Sequence, residues 1–477
     1  STDYDTSDKL YFEPLTLEDV LNITDKERPV GIIVQFGGQT PLNLAQQLDS
    51  HGIRVLGTPP EMIERAENRE HFAAMLRRIG AHQPDNGTAT SQEEAVAVAN
   101  RIGYPVLVRP SFVLGGRAMA IVYNDAMLRE YMEEAVAASP DAPVLIDKFL
   151  EEAIEVDVDA ISDGQKCVVG GVMEHIEEAG IHSGDSACVL PPFSLGPNEI
   201  EEITRQTKAL AAELQVRGLM NVQYAIRGEN LYVLEVNPRA SRTVPFVSKA
   251  IGVPLAKLAT LVMMGATLEE LGFTREVETE HTAVKCPVFP FDKFSGIDYL
   301  LGPEMKSTGE VMGIDSDFGA AFAKAYTAAR HELPLRGTIF LSMRNQDKRD
   351  AIFLGKQLRH LGFQIVATEG TARTLRRAGI EAQTIHRLSE AGSPNALDLI
   401  QRGHIQMIVN TPSGAEPRAD MQRIRREAIL YEVPLITTVA GAMVAVLGIE
   451  ALQRGRLDVR SLQEYHAAVR ASIGVNR

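Results

Sequence analysis

The chain has 477 residues, length for roughly two to four domains that each bury a core. Its apolar content of 45% and charged content of 23% are those of a soluble globular protein rather than a disordered or fibrous one. A balance of 63 acidic against 48 basic residues, net charge -15, argues against nucleic acid and anionic membranes as partners, and no apolar run approaches the ~18 residues of a membrane span.

Ser1 to Lys9 is polar and leads, without a starting Met, into YFEPLTLEDVLNI, an opening expected from the middle of a domain. Thr16 and Asp19 make a capping-box pattern for a helix over Thr16 to Thr24, and VGIIVQF, Val30 to Phe36, is a buried-strand pattern. GGQTPLNLAQQL and IRVLGTPP follow, so the opening is α/β with adjacent parallel strands and a break near Gly57 to Pro60. From Glu61 to about Gly265 the spacing predicts helices over Glu61 to Gly80 and Ser91 to Gly103. Strands are predicted at YPVLVRP, RAMAIVY, PVLIDKFL, IEVDVDAIS and KCVVGGVME, as in an antiparallel sheet with helices on one side. Gly265 to Ala329 resembles a tail to this unit. Near Leu335 a second unit begins, with strand TIFLSM, helix Asp347 to Leu361, strand FQIVAT, a helix starting at Thr371 and strand IQMIVNT. Helix Ala419 to Tyr431, strand PLITT and helix Ala440 to Gln453 complete it, and the alternation predicts a doubly wound parallel sheet. The expected division of this α/β and α+β multidomain chain is 1–60, 61–265, 266–329 and 330–477.

The most informative stretch is Asn221 to Phe246, NVQYAIRGENLYVLEVNPRASRTVPF. If Gly228, Glu229 and Asn230 form a three-residue turn, Gln223 faces Glu235 and Asn221 faces Asn237, all on one side of a hairpin. Gln223, Glu235 and Asn237 are hard oxygen donors of the kind Mg or Mn prefers, and Arg239 and Arg242 follow with planar forks for phosphate oxygens. A solvent-facing polar hairpin is the alternative, and a two-residue turn would break the pairing.

RPSFVLGGRAM, Arg109 to Met119, is a glycine-containing hairpin able to close over nucleotide phosphates, though not a Walker loop; Arg109 in it needs an anionic partner. MEHIEEAGIHSGDSACVLPP, Met173 to Pro192, concentrates His175, Glu177, Glu178, His182, Ser183, Asp185 and Ser186, which fits a substrate or cation loop or a solvated one. Glu155, Asp157 and Asp159 alternate on one strand face, which an exposed polar face explains equally well. Cys167, Cys188 and Cys286 have no paired spacing, so neither a disulfide framework nor zinc is expected and a cytoplasmic setting fits.

The order of RPSFVLGGRAM, DKFLEEAIEVDVDA, MEHIEEAGIHSGDSACVLPP, NVQYAI and LEVNPRASRTVPF closely resembles the C-terminal half of the carbamoyl phosphate synthetase large subunit, over essentially the whole chain. The resemblance implies a partial pre-ATP-grasp domain, an ATP-grasp domain and a C-terminal methylglyoxal-synthase-like allosteric domain. It implies transfer of the γ-phosphoryl group of ATP to carbamate, the last step of a synthesis that also uses bicarbonate, ammonia from glutamine and another ATP. Arg69, Arg109, Lys148, Leu150, Glu155, Gly180, Ile181, His182, Ser183, Gln223 and Glu235 would bind ATP. Gln223, Glu235 and Asn237 would bind Mg or Mn, with Asn237, Arg239 and Arg242 catalytic and potassium among Glu155, His175 and Ser186.

In the C-terminal unit, Lys348, Thr368, Thr371, Arg387, Asn410 and Ser413 would hold a nucleotide monophosphate effector, TEGT lying at a strand-to-helix junction where amides and hydroxyls meet a phosphate. Ornithine activation is expected to be weak or absent: Glu177, Asp185 and Thr437 match the family's ligands, but Cys286 and Leu435 replace a glutamate and a tyrosine. Expected partners are the N-terminal half of the large subunit and a glutaminase small subunit. A truncated, non-catalytic effector-binding fragment that needs the missing N-terminal half is the alternative, and a biotin carboxylase would leave the TEGT domain unexplained.

Overall fold

The computed structural model describes residues 7–110, 119–138, 143–177, 179–290, 301–388, 390, 392–411, 415–455 and 457–473. Among them the strands form a small parallel sheet, two antiparallel sheets and a parallel sheet. In the first segment, helix Leu17–Glu27 is capped as expected, Thr16 Oγ1 accepting from Asp19 N. The VGIIVQF run yields only Ile32–Ile33, paired in parallel with Val55–Leu56, because a lone neighbour strand offers a short ladder.

The expected single helix over Glu61 to Gly80 is two, Pro60–Glu67 and Arg69–Ile79. Asn68 breaks it by turning extended, and its Oδ1 accepts from Glu70 N and His71 N to start the second helix. The predicted single sheet is also two. Asn86–Ala89, Val144–Lys148, Val106–Pro110 and Ala120–Val122 form a small four-stranded lobe packed on helices Gln92–Ile102 and Asp125–Ala138. Seven strands make the larger sheet, in the order Asn230–Asn237, Arg217–Arg227, Ile154–Asp163, Cys167–His175, Cys188–Leu190, Thr282–Val288 and Gly309–Asp315. The last two come from the segment that looked like a tail, so that segment is integral to the sheet. Val156, Val158 and Ala160 face a core shared with helix Pro197–Glu213, which turns Glu155, Asp157 and Asp159 to the other side.

The C-terminal unit is doubly wound as expected, with parallel strand order Gln383–Ile385, Gln364–Thr368, Thr338–Met343, Met407–Thr411, Leu435–Ile436. Helices Lys348–His360, Glu369–Arg377 and Val439–Arg454 cover one face; Ala396–Gln401 and Ala415–Leu430 cover the other. Helix Phe318–Ala328 joins the two units, packing on strands Thr282–Val288 and Gly309–Asp315 and on helix Val439–Arg454. The two helices pack tightly at Gly319, where a Cβ would lie 2.4 Å from Leu447 O. Backbone cannot yield there as a side-chain tip would, so Gly319→Ala is expected to lower stability by about 1–3 kcal/mol in urea titration, and an unchanged midpoint would contradict this packing.

Candidate active site

The ribbon is a hairpin with the expected cross-strand pairs, Gln223 opposite Glu235 and Asn221 opposite Asn237, but by a different route. Arg227 pairs with Asn230, so the turn is the two residues Gly228 and Glu229, with Gly228 at φ 60. A bulge at Leu234, between the Tyr224–Val233 and Gln223–Glu235 pairs, adds the residue that the shorter turn removes and restores the register. The next strand extends the pattern, Asp157 standing beside Gln223 and Asp159 beside Asn221. Two adjacent rows therefore cross three strands: Glu235, Gln223, Asp157 and Asn237, Asn221, Asp159.

The rows grade from solvent to interior. Glu235 is exposed and Gln223 and Asn237 half-buried, whereas Asp157 and Asp159 are 1% and 0% exposed, which overturns the solvated-face alternative for the aspartates. Asn237 Nδ2 donates to Glu235 at 2.7 Å and Arg239 Nη2 to Asn237 Oδ1 at 3.2 Å. Gln223 Nε2 donates to Ser183 Oγ at 3.2 Å. The outer trio thus shares one face at the ribbon's accessible edge, and its carboxylate and amide groups carry hard oxygen donors of the kind that suits Mg or Mn, with one negative charge that leaves phosphate oxygens to complete a shell.

The polar loop after strand Cys167–His175 closes over these rows. Glu155 accepts from Gly180 N at 2.9 Å, and His175 places Nε2 3.0 Å from Asp157 and Nδ1 3.5 Å from Glu155. Burial opposes charge on His175, but Cys188, Asp157 and Glu155 together raise its pKa well above 6.5. His182 Nδ1 accepts from Gly184 N at 3.0 Å, and burial lowers its pKa, so it is a neutral imidazole protonated at Nε2. Ile181 is buried and Ser183 half-buried beside it. Asp185 and Ser186 are fully buried, the former satisfied by Lys306 N and Ser307 N at 2.8 Å each, which is how the loop's polar density is accommodated.

The arginines come from separate elements. Arg69 Nη2 donates to both oxygens of Asp147, at 2.9 and 2.8 Å, and Arg109 Nε lies 3.6 Å from the same carboxylate. Among the described residues, Arg69 Nη1, Arg109 Nε and Arg239 Nε are buried with no hydrogen-bond partner. Unpaired buried donors on a cation are expensive, so each of these guanidiniums is suited to an anion. Lys148 behaves differently: its Nζ donates to Gly103 O and Tyr104 O at 2.8 and 2.9 Å, and with Leu150 it lines a pocket shared with His82, Arg227 and Tyr232. Arg242 is exposed and touches Met305 Sδ. The loop RPSFVLGG beyond Pro110 falls outside the described residues, as does Glu178.

In the C-terminal unit, Thr368, Ser342 and Asn410 lie toward the carboxyl ends of three neighbouring parallel strands, where open α/β sheets place ligands. The helix starts at Glu369 rather than Thr371, and Thr368 occupies its N-cap position without using its side chain, so TEGT is not a simple cap. Lys348 Nζ lies over Gly370, 2.9 Å from where a Cβ would be. Thr371 Oγ1 is taken by Met343 N at 3.1 Å, Asn410 Nδ2 points at Met421 Sδ, Arg387 is exposed, and Ser413 is outside the described residues. Thr437 Oγ1 is buried without a hydrogen-bond partner among the described residues, and burial pushes the Cys286 thiol up to about 12, so that position carries no charge.

Sequence reasoning missed two anchors. Asp147 opens the strand end, Asp147 to Leu150, that the family resemblance assigns to adenine and ribose; its gathering of Arg69 and Arg109 was the part missed. Gln35 is 1% exposed; its Nε2 donates to Thr58 Oγ1 and Arg217 O, its Oε1 accepts from Leu219 N, and its backbone carbonyl accepts from Ala240 N. It ties the first segment to the arginine loop, and the QFGGQ spelling, a polar residue ending a buried-strand pattern, was the available signal.

Sheets, cleft and arginines together define an ATP-grasp protein. The profile "Carbamoyl-phosphate synthase L chain, ATP binding domain" matches residues 68–271, "Carbamoyl phosphate synthase preATP-grasp domain" 1–65 and "MGS-like domain" 350–437. The carbamoyl phosphate synthase large chain of Archaeoglobus fulgidus is 57% identical over 98% of this chain and 43% of its own length. The large chain, C-terminal section, of Methanocaldococcus jannaschii is 52% identical over 98% of this chain and 78% of its own. The chain belongs to the carbamoyl phosphate synthase large-chain family. It spans less than half the length of the Archaeoglobus fulgidus relative. Among solved structures, the biotin carboxylase domain of Hydrogenobacter thermophilus 2-oxoglutarate carboxylase, in complex with MgADP, ADP and bicarbonate, matches with TM-score 0.53 at 18% identity, over 68% of this chain and 81% of that one. At that identity the likeness shows the fold alone. Among the described residues no single helix is long and apolar enough to cross a membrane.

Proposed function

We propose that the chain phosphorylates carbamate with ATP to give carbamoyl phosphate and ADP, the final step of glutamine-dependent carbamoyl phosphate synthesis in pyrimidine and arginine biosynthesis. The observation that carries this is the oxygen-donor edge of Gln223, Glu235 and Asn237 with Arg239 bonded to it, together with buried guanidinium N–H groups on Arg69, Arg109 and Arg239 that lack a hydrogen-bond acceptor among the described residues. A carbamate oxygen attacks the γ-phosphorus as the bond to the β,γ-bridging oxygen breaks, and ADP leaves with that electron pair. Arg239 and Arg242 stabilise charge on the transferring group; Arg69 and Arg109 hold the nucleotide phosphates. Positioning and electrostatics suffice without a covalent intermediate on the protein. Glu155, Gly180, Ile181, neutral His182 and Ser183 wall the nucleotide pocket, and Leu150 and the backbone around Lys148 border the base. Mg or Mn held by Gln223, Glu235 and Asn237 would neutralise phosphate charge. For potassium, the carboxylates of Asp157 and Glu155 beside His175 favour its protonated form, so the oxygens of Glu155 and Ser186 are the donors proposed. The segment limits proposed are 1–60, 61–265, 266–329 and 330–477, the third supplying the last two strands of the larger sheet built by the second, and the partners an N-terminal half and a glutaminase subunit.

The test is ATP formation from ADP and carbamoyl phosphate by the unmutated chain, which needs neither glutamine nor the N-terminal half. Turnover supports the reading; a folded chain without turnover favours the alternative of an effector-binding fragment.

The effector site is proposed at Lys348, Thr368, Thr371, Arg387, Asn410 and Ser413. Lys348→Ala is expected to weaken nucleoside monophosphate binding at least tenfold by calorimetry, about the 1.5–3 kcal/mol of a charged hydrogen bond. In the same titrations ornithine should have little effect, since Cys286 is neutral and apolar where an ammonium needs a carboxylate. Unaltered nucleotide binding, or strong ornithine binding, would refute this assignment.

A further inference from the structure

Asp159 belongs to none of the roles above, yet three side-chain donors converge on it. It is 0% exposed; Oδ1 accepts from Asn221 Nδ2 at 3.0 Å and Ser241 Oγ at 2.7 Å, and Oδ2 from Thr243 Oγ1 at 2.6 Å. Ser241 and Thr243 flank Arg242. Ser241 Oγ also accepts from Thr243 N at 3.1 Å and meets Thr243 Oγ1 at 2.7 Å, closing the turn on itself. Thr243 stands at the N-cap of helix Val244–Ile251 but makes no side-chain cap bond, its hydroxyl being turned to Asp159 instead. Arg242 has no acceptor of its own among the described contacts, only Met305 Sδ, so its direction is set by the backbone on either side. Asn221, the third donor, pairs across the hairpin with Asn237.

Burial pushes the Asp159 carboxyl up to about 6 against the bonds from Thr243, Ser241 and Asn221. A charge kept inside at that cost is not needed to fill space, since an apolar or amide side chain would fill it with less penalty. What a carboxylate adds is the capacity to accept all three donors at once, with charge-assisted strength.

We infer that Asp159 is a positioning residue for phosphoryl transfer: its buried carboxylate clamps the Ser241–Thr243 turn and so fixes where Arg242 presents its guanidinium. This rests on the proposed carbamate phosphorylation.

The test compares the unmutated chain with Asp159→Ala, Arg242→Ala and the double variant in ATP formation from ADP and carbamoyl phosphate. Asp159→Ala should lower kcat about 10²-fold with KM for ADP changed less than threefold, and the double variant should be no slower than Arg242→Ala alone, as for groups that act as a unit. Multiplying effects, or a loss confined to KM, would overturn it. Amide hydrogen exchange over 238–247 is a second readout, independent of turnover: at least about tenfold faster in Asp159→Ala, with strand Arg217–Arg227 unchanged. Unchanged exchange there refutes the clamp even if the unmutated chain proves inactive, whereas inactivity with the exchange effect intact refutes only the assigned reaction. Should Asp159→Ala not fold, Thr243→Val, which removes one donor at nearly constant volume, carries the same two readouts with smaller expected effects.

Discussion

Glu235→Gln is expected to reduce ATP formation from ADP and carbamoyl phosphate by about 10²–10³-fold while leaving the fold intact. The size follows from what a preorganised electrostatic partner contributes when charge redistributes on a phosphoryl group. Glu235 is the one carboxylate of the outer trio, and Gln223 and Asn237 cannot replace its charge. It is also exposed, and its hydrogen bond from Asn237 has an amide oxygen to fall back on, so stability should change by less than about 0.5 kcal/mol. Luminescent detection of ATP with Mg present, alongside thermal melting, separates the two effects. A variant that keeps more than a tenth of the unmutated turnover would remove the hairpin from the proposed metal site.

Asp157→Ala should produce the largest loss of stability, on the order of 3 kcal/mol, because it strands His175 in the interior. Asp157 lies below its ordinary 3.8: burial opposes its charge, and the hydrogen bond and charge of His175 outweigh burial. Its contribution is present above 3.8 and is lost as pH falls through the lowered value. The His175 share has the opposite sign, being complete below 6.5 and lost as pH rises through its raised value. The pair is therefore worth most between 3.8 and 6.5. Asp159, raised from 3.8 to about 6 chiefly by burial and least by Asp157, disfavours folding increasingly over that range in both chains, somewhat less in the variant. Urea unfolding of both chains at about pH 5.5 and 8.5 should show the greater gap at the lower pH. Equal gaps, or a gap under about 1 kcal/mol, would mean that the pair is not ionised as described.

Much of the C-terminal unit was legible because its strands and helices alternate with distinct periods and each local preference agrees with the final fold. Boundaries shifted where a side chain intervened, as at Asn68, whose capping bonds split a continuous apolar periodicity into two helices. Strands Thr282–Val288 and Gly309–Asp315 were missed as sheet members because the strand that joins the pair to the sheet, Cys188–Leu190 beside Thr282–Val288, lies far back in the chain. The hairpin shows both sides of the matter. Its pairing was read correctly, but from a turn of the wrong length, since nothing in LYVLEV marks Leu234 as the extra residue; which residue bulges is decided by how both strands pack.

By itself the sequence determined the kinds of group available: oxygen donors at alternate positions of a ribbon, arginines directly after it, and a hydroxyl-rich strand-to-helix junction in the second unit. Local periodicity was enough for that, because the two-residue repeat of a strand is a backbone property. Only the tertiary structure decided which carboxylates are buried. Asp157, Asp159 and Glu235 all alternate with apolar neighbours, yet the first two are covered and the third faces solvent. The difference lies in what covers each side chain: His175 closes over Asp157 and the Ser241–Thr243 turn over Asp159, while Glu235 on the ribbon's edge stays open. The partnering of Arg69 and Arg109 through Asp147, and of Gln35 with the arginine loop, likewise joins residues far apart in the chain. Hydrogen bonds and desolvation depend on what lies within a few ångströms, and no local pattern encodes that.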